Sequence, residues 1–312
     1  MSGLEGLLKI LYDPRIPGFH MAKEKITILG GTGGMGRWFA RFFSNKGYSV
    51  TITGRSFEKA EKIANELGVG FAKANREAAS EADIILVATP IETTAGVIRE
   101  LRGSVRRGAI LFDIASVKSS IIEALEEASK LGARTASVHP MFGPGAESMH
   151  GQKVIIIPVR GDLTVVHQLT ELFEEEGAVV HLLPDGATHD RIMALVLALP
   201  HFLNAVFALT VPPETINDIK KMAGTTFTLQ LLVAESTLQD LNLSAQLQTS
   251  NMAFQGLLVE TLKIAKRLGD AVSSGDRVVV KKLLEEAKAH LALDPDFQKA
   301  YEKFYAALRA IS

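Results

Sequence analysis

Hydrophobic positions follow two different spacings along the chain. Up to about residue 182, short runs rich in β-branched apolar residues alternate with segments whose apolar residues recur every three or four positions. Runs such as Ile84–Val87 are apolar at every position, as in strands that are buried on both faces of a parallel sheet. The runs that predict strands are Ile26–Gly30, Ser49–Thr53, Val69–Ala72, Asp83–Ala88, Ala109–Asp113, Thr135–Val138, Val154–Val159 and Ala178–Leu182.

Helical spacing fills the gaps between these runs. Met35, Phe39 and Phe42 would share one face of the first helix. Further helices are predicted at Phe57–Leu67, Thr93–Leu101, Ser119–Leu131 and Leu163–Glu176. Alternation of this kind predicts an α/β fold with a doubly wound, mostly parallel sheet.

The pattern changes at the turn signal Leu183-Pro184-Asp185-Gly186. Beyond it no run has strand spacing, and Thr188 is a candidate cap for the next helix. Later helices are predicted at Glu214–Met222, Phe227–Leu238, Ser244–Leu268, Asp276–Leu291 and Asp296–Ile311. We therefore expect an N-terminal extension (residues 1–20), an α/β domain (residues 21–183) and an all-helical domain (residues 184–312).

The segment Ile192–Pro213 has no charged residue and is long enough to span a bilayer. However, Pro200, His201 and Asn204 lie in its middle, where a lipid-facing helix would have to satisfy their polar groups alone. We interpret the segment as a helix buried in the core of a homodimer. The apolar run near the N-terminus, Leu4–Leu11, carries two charges and has no cleavage signal, so we expect a cytoplasmic protein without a membrane span.

Charge and composition narrow the possible functions. The 34 basic and 35 acidic side chains give a net charge of -1, which offers no electrostatic basis for binding nucleic acid. The absence of cysteine excludes disulfide scaffolds, thiolate metal sites and cysteine nucleophiles. Because the 8 histidines show no metal-ligand spacing, no metal is expected.

A glycine-rich loop joins the first predicted strand to the first helix. Gly31, Gly33 and Gly36 form the pattern G-x-G-x-x-G. The first glycine permits a tight turn, the second lets the backbone approach a pyrophosphate, and the third lets the helix pack close to the strand. The position at a strand–helix junction predicts a Rossmann-type dinucleotide site. The loop residues expected to bind the cofactor are Gly31, Thr32, Gly33, Gly34, Met35 and Gly36.

The end of the second strand indicates which dinucleotide is bound. It reads Thr53-Gly54-Arg55-Ser56 and lacks the acidic residue that usually binds the ribose 2′-hydroxyl of NAD. Arg55 can pair with a 2′-phosphate, with hydrogen bonds from Ser56 and Thr53. The sequence thus favours NADP, with NAD as the alternative if Arg55 is a solvated surface charge.

Polar residues follow the predicted carboxyl ends of three further strands. Thr89 and Pro90 follow the fourth strand, where we expect them to contact the cofactor. Ser116 and Lys118 follow the fifth strand, and His139 follows the sixth. Because open α/β sheets bind ligands at this edge, these side chains are expected to converge beside a nicotinamide ring.

Two of these stretches carry a family resemblance. Asp113-Ile-Ala-Ser-Val-Lys118 and His139-Pro-Met-Phe-Gly-Pro144, behind a dinucleotide loop, resemble prephenate dehydrogenase. The segments Gly151-Gln-Lys-Val-Ile and His189-Asp190-Arg191, with His201 further on, are similar to the same family. The Thr-Gly-Arg element resembles NADP-preferring archaeal members. The likeness extends over most of the chain and is strongest before residue 205.

The resemblance implies oxidative decarboxylation of prephenate to 4-hydroxyphenylpyruvate, in tyrosine biosynthesis, with NADP as oxidant. By resemblance, His139 accepts the substrate hydroxyl proton while hydride leaves C4, and Ser116 hydrogen-bonds both groups. His201, Arg191 and Lys118 are the candidate substrate-binding residues. For four of these residues there is a structural alternative: His139 as a satisfied core histidine, His201 as a polar anchor, Ser116 as a helix cap, and Lys118 as a first-turn surface residue.

One departure from the family pattern leaves the substrate open. Relatives supply a carboxylate-binding arginine from a helix that aligns with Ser244–Phe254, and this stretch contains neither arginine nor lysine. Arg191, Lys220, Lys221 or a residue of a second subunit would then have to replace it. The alternatives are arogenate as substrate, another NADP-dependent oxidoreductase on the same scaffold, or a non-catalytic NADP sensor.

Overall fold

The computed structural model describes residues 24–311, and it divides into two compact units between Met193 and Ala194. The predicted N-terminal extension (residues 1–20) lies outside the described residues. The division falls later than the predicted boundary after Leu183. The first helix beyond that turn belongs to the α/β unit, where it packs against the helix that follows the fifth strand.

In the described residues of the first unit, eight strands form one sheet in the order β3-β2-β1-β4-β5-β6-β7-β8. Neighbouring strands are parallel except β6 and β7, which are antiparallel, with His139 opposite Ile155. The predicted fold class and strand runs are confirmed. The strands are β1 Lys25–Leu29, β2 Ser49–Ile52, β3 Gly70–Phe71, β4 Ile84–Val87, β5 Ile110–Asp113, β6 Arg134–Pro140, β7 Lys153–Pro158 and β8 Val179–Leu182.

Helices connect these strands. They are α1 Gly34–Asn45, α2 Phe57–Leu67, α3 Asn75–Glu81, α4 Ile91–Glu100, α5 Ser119–Lys130, α6 Leu163–Glu174 and α7 Gly186–Met193. Helix α3 was not predicted, because seven residues are too few to show a helical period. Thr188 does not cap α7, which begins before it; Asp185 accepts a hydrogen bond from the Thr188 amide at 2.6 Å.

The core of the first unit lies between the sheet and its helices. Phe39 and Phe43 of α1, Phe112 of β5 and Phe173 of α6 are all fully buried. Met35 and Phe42, predicted on the same face as Phe39, are partly buried against this core. Apolar side chains of the central strands face helices on both sides, which explains why their sequences are continuously hydrophobic.

The second unit is helical. Its helices are α8 Leu199–Thr210, α9 Ile216–Met222, α10 Thr225–Thr237, α11 Leu241–Ser250, α12 Met252–Ser273, α13 Arg277–Leu291 and α14 Ala300–Ile311, with short 3-10 turns at Pro213–Thr215 and Phe297–Lys299. The single helix predicted over Ser244–Leu268 is wrong, since the chain is extended at Asn251. The Asn251 side chain accepts a hydrogen bond from the Ala253 amide and begins α12.

A π-helical turn, Ala194–Ala198, precedes α8. Pro200 lies just after it and has no N–H to donate, so a local change of hydrogen-bond register is the expected consequence. The helical run Gly186–Thr210 is long and apolar enough to cross a membrane. This is weak evidence for a membrane span, because the core helix of a soluble protein can pass the same test. Its Asn204 is buried and hydrogen-bonded to Thr237 and Gln230 within the helical unit.

Candidate active site

At three glycines of the loop between β1 and α1, Gly30, Gly31 and Gly36, neighbouring atoms leave no room for a side chain. A Cβ on Gly31 would lie 2.5 Å from the Ile52 Cβ, and one on Gly36 would lie 2.3 Å from the Gly30 carbonyl oxygen. Gly30 itself has φ +84, a left-handed conformation that favours glycine. Because of these close approaches, the loop packs against β2, and the start of α1 is in direct contact with the loop.

The start of α1 offers backbone donors to an anion. Gly33 is the residue before the helix, and its own amide donates to the Gly30 carbonyl at 3.0 Å. The first amides of a helix, here those of Gly34, Met35 and Gly36, have no acceptor within the helix. Together with the positive end of the helix dipole they suit a pyrophosphate, so these residues fit the predicted dinucleotide.

The end of β2 leaves one basic side chain available. Arg55 is exposed and makes no hydrogen bond or ion pair with any residue in the described range 24–311. The Ser56 hydroxyl is already used at the start of α2, where it accepts from the Lys59 amide and donates to Glu58. The Thr53 hydroxyl donates to Asn75 at 2.7 Å. Of the three residues predicted to bind a 2′-phosphate, Arg55 is therefore the one with an unused side chain.

The residues after β4 lie against the glycine loop. A Cβ on Gly30 would meet the Ala88 carbonyl oxygen at 2.6 Å and the Thr89 side chain at 3.0 Å. The Thr89 hydroxyl lies 2.9 Å from the Thr94 hydroxyl in the first turns of α4, and Pro90 directly precedes that helix. Thr89 and Pro90 are thus brought to the edge of the predicted cofactor site.

The loop after β6 packs on the first helix. Phe142 contacts the Trp38 ring edge to face, with a centroid distance of 4.9 Å, and the Trp38 indole N–H donates to the Ala146 carbonyl at 2.7 Å. A Cβ on Gly34 would lie 3.0 Å from Pro144. The two sequence motifs, the glycine loop and the segment that begins at His139, are therefore adjacent in the folded chain.

His139 lies at the end of β6 and belongs to a chain of three polar side chains. Its Nδ1 lies 2.9 Å from Nε2 of His189, and the His189 Nδ1 lies 2.9 Å from Oδ1 of Asp190. All three residues are buried. Nε2 of His139 makes no hydrogen bond within the described part of the chain, so this nitrogen remains for a ligand.

Asp190 also holds the start of α5. Its carboxylate accepts hydrogen bonds from the backbone amides of Lys118 and Ser119 at 2.9 and 3.0 Å, and from the Ser119 hydroxyl. These bonds satisfy donors that a helix leaves free at its N-terminus. The two residues that orient His139 are thus anchored to the loop that follows β5.

Lys118 is not available to a substrate, contrary to the prediction. It is fully buried, and its ammonium donates to Asp113 Oδ2 at 2.6 Å and to the Val138 carbonyl at 2.7 Å. Asp113 is fully buried as well and accepts from Ser137 at 2.5 Å and from the Ala115 amide at 2.8 Å. This ion pair ties the ends of β5 and β6 together. The surface position considered as the alternative for Lys118 is also wrong.

Ser116 and Arg191 have different surroundings from those expected. Ser116 does not cap α5, which begins at Ser119, and no hydrogen bond joins it to His139 among the described residues. Nδ1 of His139 is bonded to His189 instead. Ser116 still follows the strand next to His139. Arg191 is exposed and donates to the Thr188 hydroxyl at 2.9 Å, whereas His189 and Asp190 on the same helix are buried.

His201 belongs to the helical unit. Its Nδ1 lies 3.0 Å from the Ser244 hydroxyl, which in turn donates to the Thr237 carbonyl at 2.7 Å. Burial lowers the pKa of His201 below its ordinary value. Because Ser244 donates its proton to Thr237, it accepts from Nδ1–H of His201, and the His201 Nε2 is left as an acceptor.

The electrostatics around His139 favour neutral imidazoles. Burial, with His189 and Lys118 nearby, holds the pKa of His139 well below 6.5. Burial and Lys118 also lower the pKa of His189 against the opposing effect of Asp190. Although burial opposes it, hydrogen bonds from His189, Ser119 and Lys118 lower the pKa of Asp190, which is therefore ionised. A neutral His139 can accept a proton.

Sequence reasoning missed His189 and Asp190 as parts of the site, and it gave Ser137 no role. The first two were noticed only as a family-like segment, His189-Asp190-Arg191. Adjacent positions on a helix do not normally face each other, so the sequence carries no clear signal for the 2.9 Å contact between His189 and Asp190. The described residues contain no group of three or more side chains placed to hold a metal ion.

Known proteins match this chain in two ways, over its nucleotide-binding part and over most of its length. A model of the nucleotide-binding domain of prephenate dehydrogenase matches residues 39–182. A Methanocaldococcus jannaschii protein named "Probable arogenate/prephenate dehydrogenase" is 37% identical over 85% of this chain and 60% of its own length. The T-protein of Enterobacter agglomerans is 27% identical over 80% of this chain and 61% of its own. The chain thus spans about three fifths of the length of these curated relatives.

Solved structures share the fold. Prephenate dehydrogenase from A. aeolicus, in complex with hydroxyphenyl propionate and NAD+, superposes with a TM-score of 0.68 at 20% identity, over 88% of this chain and 100% of that one. Synechocystis arogenate dehydrogenase gives a TM-score of 0.63 at 21% identity, over 85% and 98% of the two chains. The fold and the glycine loop define a nucleotide-binding α/β domain followed by a helical unit. Within that class, residues 39–182 match the nucleotide-binding domain of prephenate dehydrogenase, and the chain is similar over most of its length to a probable arogenate/prephenate dehydrogenase.

Proposed function

We propose that the protein catalyses the NADP-dependent oxidative decarboxylation of prephenate to 4-hydroxyphenylpyruvate. The observation that carries the proposal is the placement of His139, a buried imidazole held neutral at the strand edge beside the glycine loop. The relatives named for prephenate or arogenate dehydrogenation support the reaction class. Prephenate loses a hydride from C4, which also carries a hydroxyl group.

His139 supplies the base for this reaction. Its Nε2 takes the proton of the C4 hydroxyl as the carbon–oxygen bond becomes a carbonyl and hydride leaves C4. The bond from the ring to its carboxylate then breaks, carbon dioxide leaves, and the electron pair completes the aromatic ring. The proton returns from His139 to the oxygen that becomes the phenol. Ser116, on the neighbouring strand end, is proposed to hydrogen-bond the substrate hydroxyl.

The glycine loop and Arg55 are proposed to hold NADP. When bound, the nicotinamide supplies the hydride acceptor. The amides at the start of α1 bind the pyrophosphate, and the exposed Arg55 guanidinium pairs with the 2′-phosphate. We expect Arg55→Ala to raise KM for NADP at least about tenfold, since charge-assisted hydrogen bonds contribute about 1.5–3 kcal/mol. KM for NAD should stay the same, and equal effects on both cofactors would contradict the assignment.

The assay of purified protein with prephenate and NADP, followed by reduced-cofactor absorbance, tests the function. Arogenate and NAD are run as parallel substitutions. His139→Ala should abolish turnover, and His181→Ala, a change at an exposed histidine of β8, serves as the matched control. Binding of NADP without turnover of either substrate would favour a cofactor sensor instead.

Arogenate is the second candidate substrate. The stretch Ser244–Phe254 lacks the basic side chain that would pair with a second carboxylate, and Arg191 is held by Thr188 on the exposed side of its helix. Arogenate carries an ammonium group in place of the keto group. Turnover with arogenate alone would keep the mechanism and change the substrate.

We further propose that a second copy of the chain covers the helical unit and that the dimer is cytoplasmic. Leu195, Val196, Leu203, Val206 and Leu209 of the helical run Gly186–Thr210 are between 46% and 88% exposed in the single chain. An apolar surface of this kind is unfavourable in water and typical of a subunit interface. His201 is proposed to contact the substrate through its free Nε2.

A further inference from the structure

The chain of side chains behind His139 has a defined direction for its protons. Asp190 is ionised and accepts hydrogen bonds from two backbone amides and from Ser119, so it also accepts from the ring nitrogen of His189 that lies 2.9 Å away. That ring nitrogen is Nδ1, and it therefore carries a proton. In a neutral His189 the other nitrogen, Nε2, is then an acceptor.

The same reasoning assigns the position of the proton on the His139 ring. Nε2 of His189 lies 2.9 Å from Nδ1 of His139, and because it has no proton to donate, the hydrogen of this bond belongs to His139. A neutral His139 with a proton on Nδ1 has a lone pair on Nε2. This is the nitrogen without a partner in the described residues, on the side left for a ligand.

We propose that His189 and Asp190 form a two-step relay that fixes the proton position on His139 and shares the positive charge that His139 acquires. When Nε2 of His139 takes a proton, the hydrogen on its Nδ1 can move along the bond to Nε2 of His189. The His189 ring then holds the charge directly against the Asp190 carboxylate, and the movement reverses when the proton returns to the product.

The charged groups around His139 explain why moving its positive charge to His189 would be favourable. Lys118 of the β5–α5 loop, with its counterion Asp113, is the other charged group facing the pair, and the Lys118 charge disfavours a cation on His139. A single imidazole in this buried place would be a poor proton acceptor. Moving the charge one ring further places it beside the anion, and the two rings titrate as one unit. His189 and Asp190 are positioning residues, since neither is proposed to touch the substrate.

The proton positions can be observed without substrate or cofactor. Nitrogen NMR of the full-length protein, labelled with 15N-histidine, distinguishes protonated from bare ring nitrogens, with His139→Gln and His189→Gln used for assignment. The relay requires a proton on Nδ1 and a bare Nε2 in both rings at neutral pH. A proton on Nε2 of His139 would overturn it.

Kinetics tests the charge sharing. Asp190→Asn keeps the side-chain shape but removes the anion, and we expect kcat to fall at least about 100-fold while KM changes less than about threefold. The acid limb of the kcat/KM profile should move to lower pH by about one unit, because the pair loses the anion that favours its protonation. His189→Gln retains an oxygen that can accept from His139 but cannot hold a proton, so it should also lower kcat.

The control is His181→Gln, which alters an exposed histidine of the same unit. Because Asp190 also holds the start of α5, melting temperatures are measured for each variant. A purely structural role would lower the melting temperature and leave the acid limb where it is. An unmoved limb together with kcat within about twofold of the parent would overturn the relay.

The inference depends on the proposed function only for its kinetic arm. If His139→Ala retains turnover, the proposed base is wrong, whereas the NMR result still decides the relay geometry. If His139→Ala is inactive and Asp190→Asn is fully active, the base stands and the relay falls.

Discussion

At the scale of single residues, burial changes what a charged side chain can do. Lys118 and Asp113 are both fully inaccessible and bonded to each other, with the remaining carboxylate oxygen bonded to Ser137. Such a pair contributes less to stability than its short distance suggests, because both groups have lost their hydration. Removing one partner is costly, because the other is left buried and charged.

Lys118→Met should therefore destabilise the protein by about 3–5 kcal/mol. Lys118→Met combined with Asp113→Asn should recover part of this loss, since the uncompensated anion is gone. The measurement is urea unfolding followed by circular dichroism. Lys130→Met, a change at an exposed residue at the end of α5, is the control and should stay within about 0.5 kcal/mol of the parent. Equal midpoints for the two single variants would contradict the prediction.

The buried histidines make stability depend on pH. His139 and His189 have pKa values lowered below 6.5 in the folded protein, so the unfolded chain binds more protons in mild acid. Their stabilising contribution is present above pH 6.5 and is lost as the pH falls from there towards the folded pKa values.

We thus expect the melting temperature to drop between pH 7 and pH 5, with a weaker drop in His139→Gln. The measurement is calorimetry across this range, under identical salt. Parallel losses in the parent and the variant would show that other groups govern the acid sensitivity.

At the scale of elements, the glycine loop shows why glycines in one short segment are unequal. A Cβ on Gly36 would meet the Gly30 backbone oxygen at 2.3 Å, while one on Gly33 would be in ordinary contact at 3.4 Å. Backbone cannot yield as a flexible side chain can. The helix start must therefore shift when Gly36 is replaced, and the pyrophosphate donors shift with it.

Gly36→Ala should abolish NADP binding and lower the melting temperature, as measured by fluorescence titration and thermal unfolding. The matched control is Gly96→Ala in α4, where the added Cβ meets nothing within 4 Å. That change should stabilise the protein by up to about 1 kcal/mol through helix propensity. Retained NADP affinity in Gly36→Ala would contradict the close-packing argument.

At the scale of the whole molecule, the two units differ in how well they cover their apolar residues. The α/β unit buries its large side chains within one chain, whereas helices α13 and α14 have no buried residue at all. Within the helical unit, Ala194, Ala198 and Phe254 form a small core. The proposed second copy would supply the missing cover.

Sedimentation equilibrium at micromolar concentration should show a dimer, and Val206→Glu with Leu209→Glu should weaken it. These positions are 46% and 88% exposed in the single chain, so the change leaves the fold of the unit intact. Leu131→Glu, at a half-exposed leucine of the α/β unit, is the control and should remain dimeric. A monomeric parent protein would exclude the proposal.

Much of the fold could be predicted because its signals are local. Several strands contain continuous apolar runs, and the glycine loop is recognised from six consecutive residues. Helix α3 and the break at Asn251 were missed. A seven-residue helix has no clear period, and a single asparagine within a helical pattern does not by itself indicate a break.

The sequence alone determined the order of the strands, the glycine loop and the presence of His139 at a strand end, since each depends on neighbours in the chain. The tertiary structure decided the surroundings of that histidine. His189 and Asp190 lie 50 residues or more further along and reach it only when α7 packs on α5. In the sequence, Lys118 has the character of a solvated charge. Its burial results from the pairing of β5 with β6, which encloses it. Burial and partners depend on contacts between distant segments, and these exist only in the folded chain.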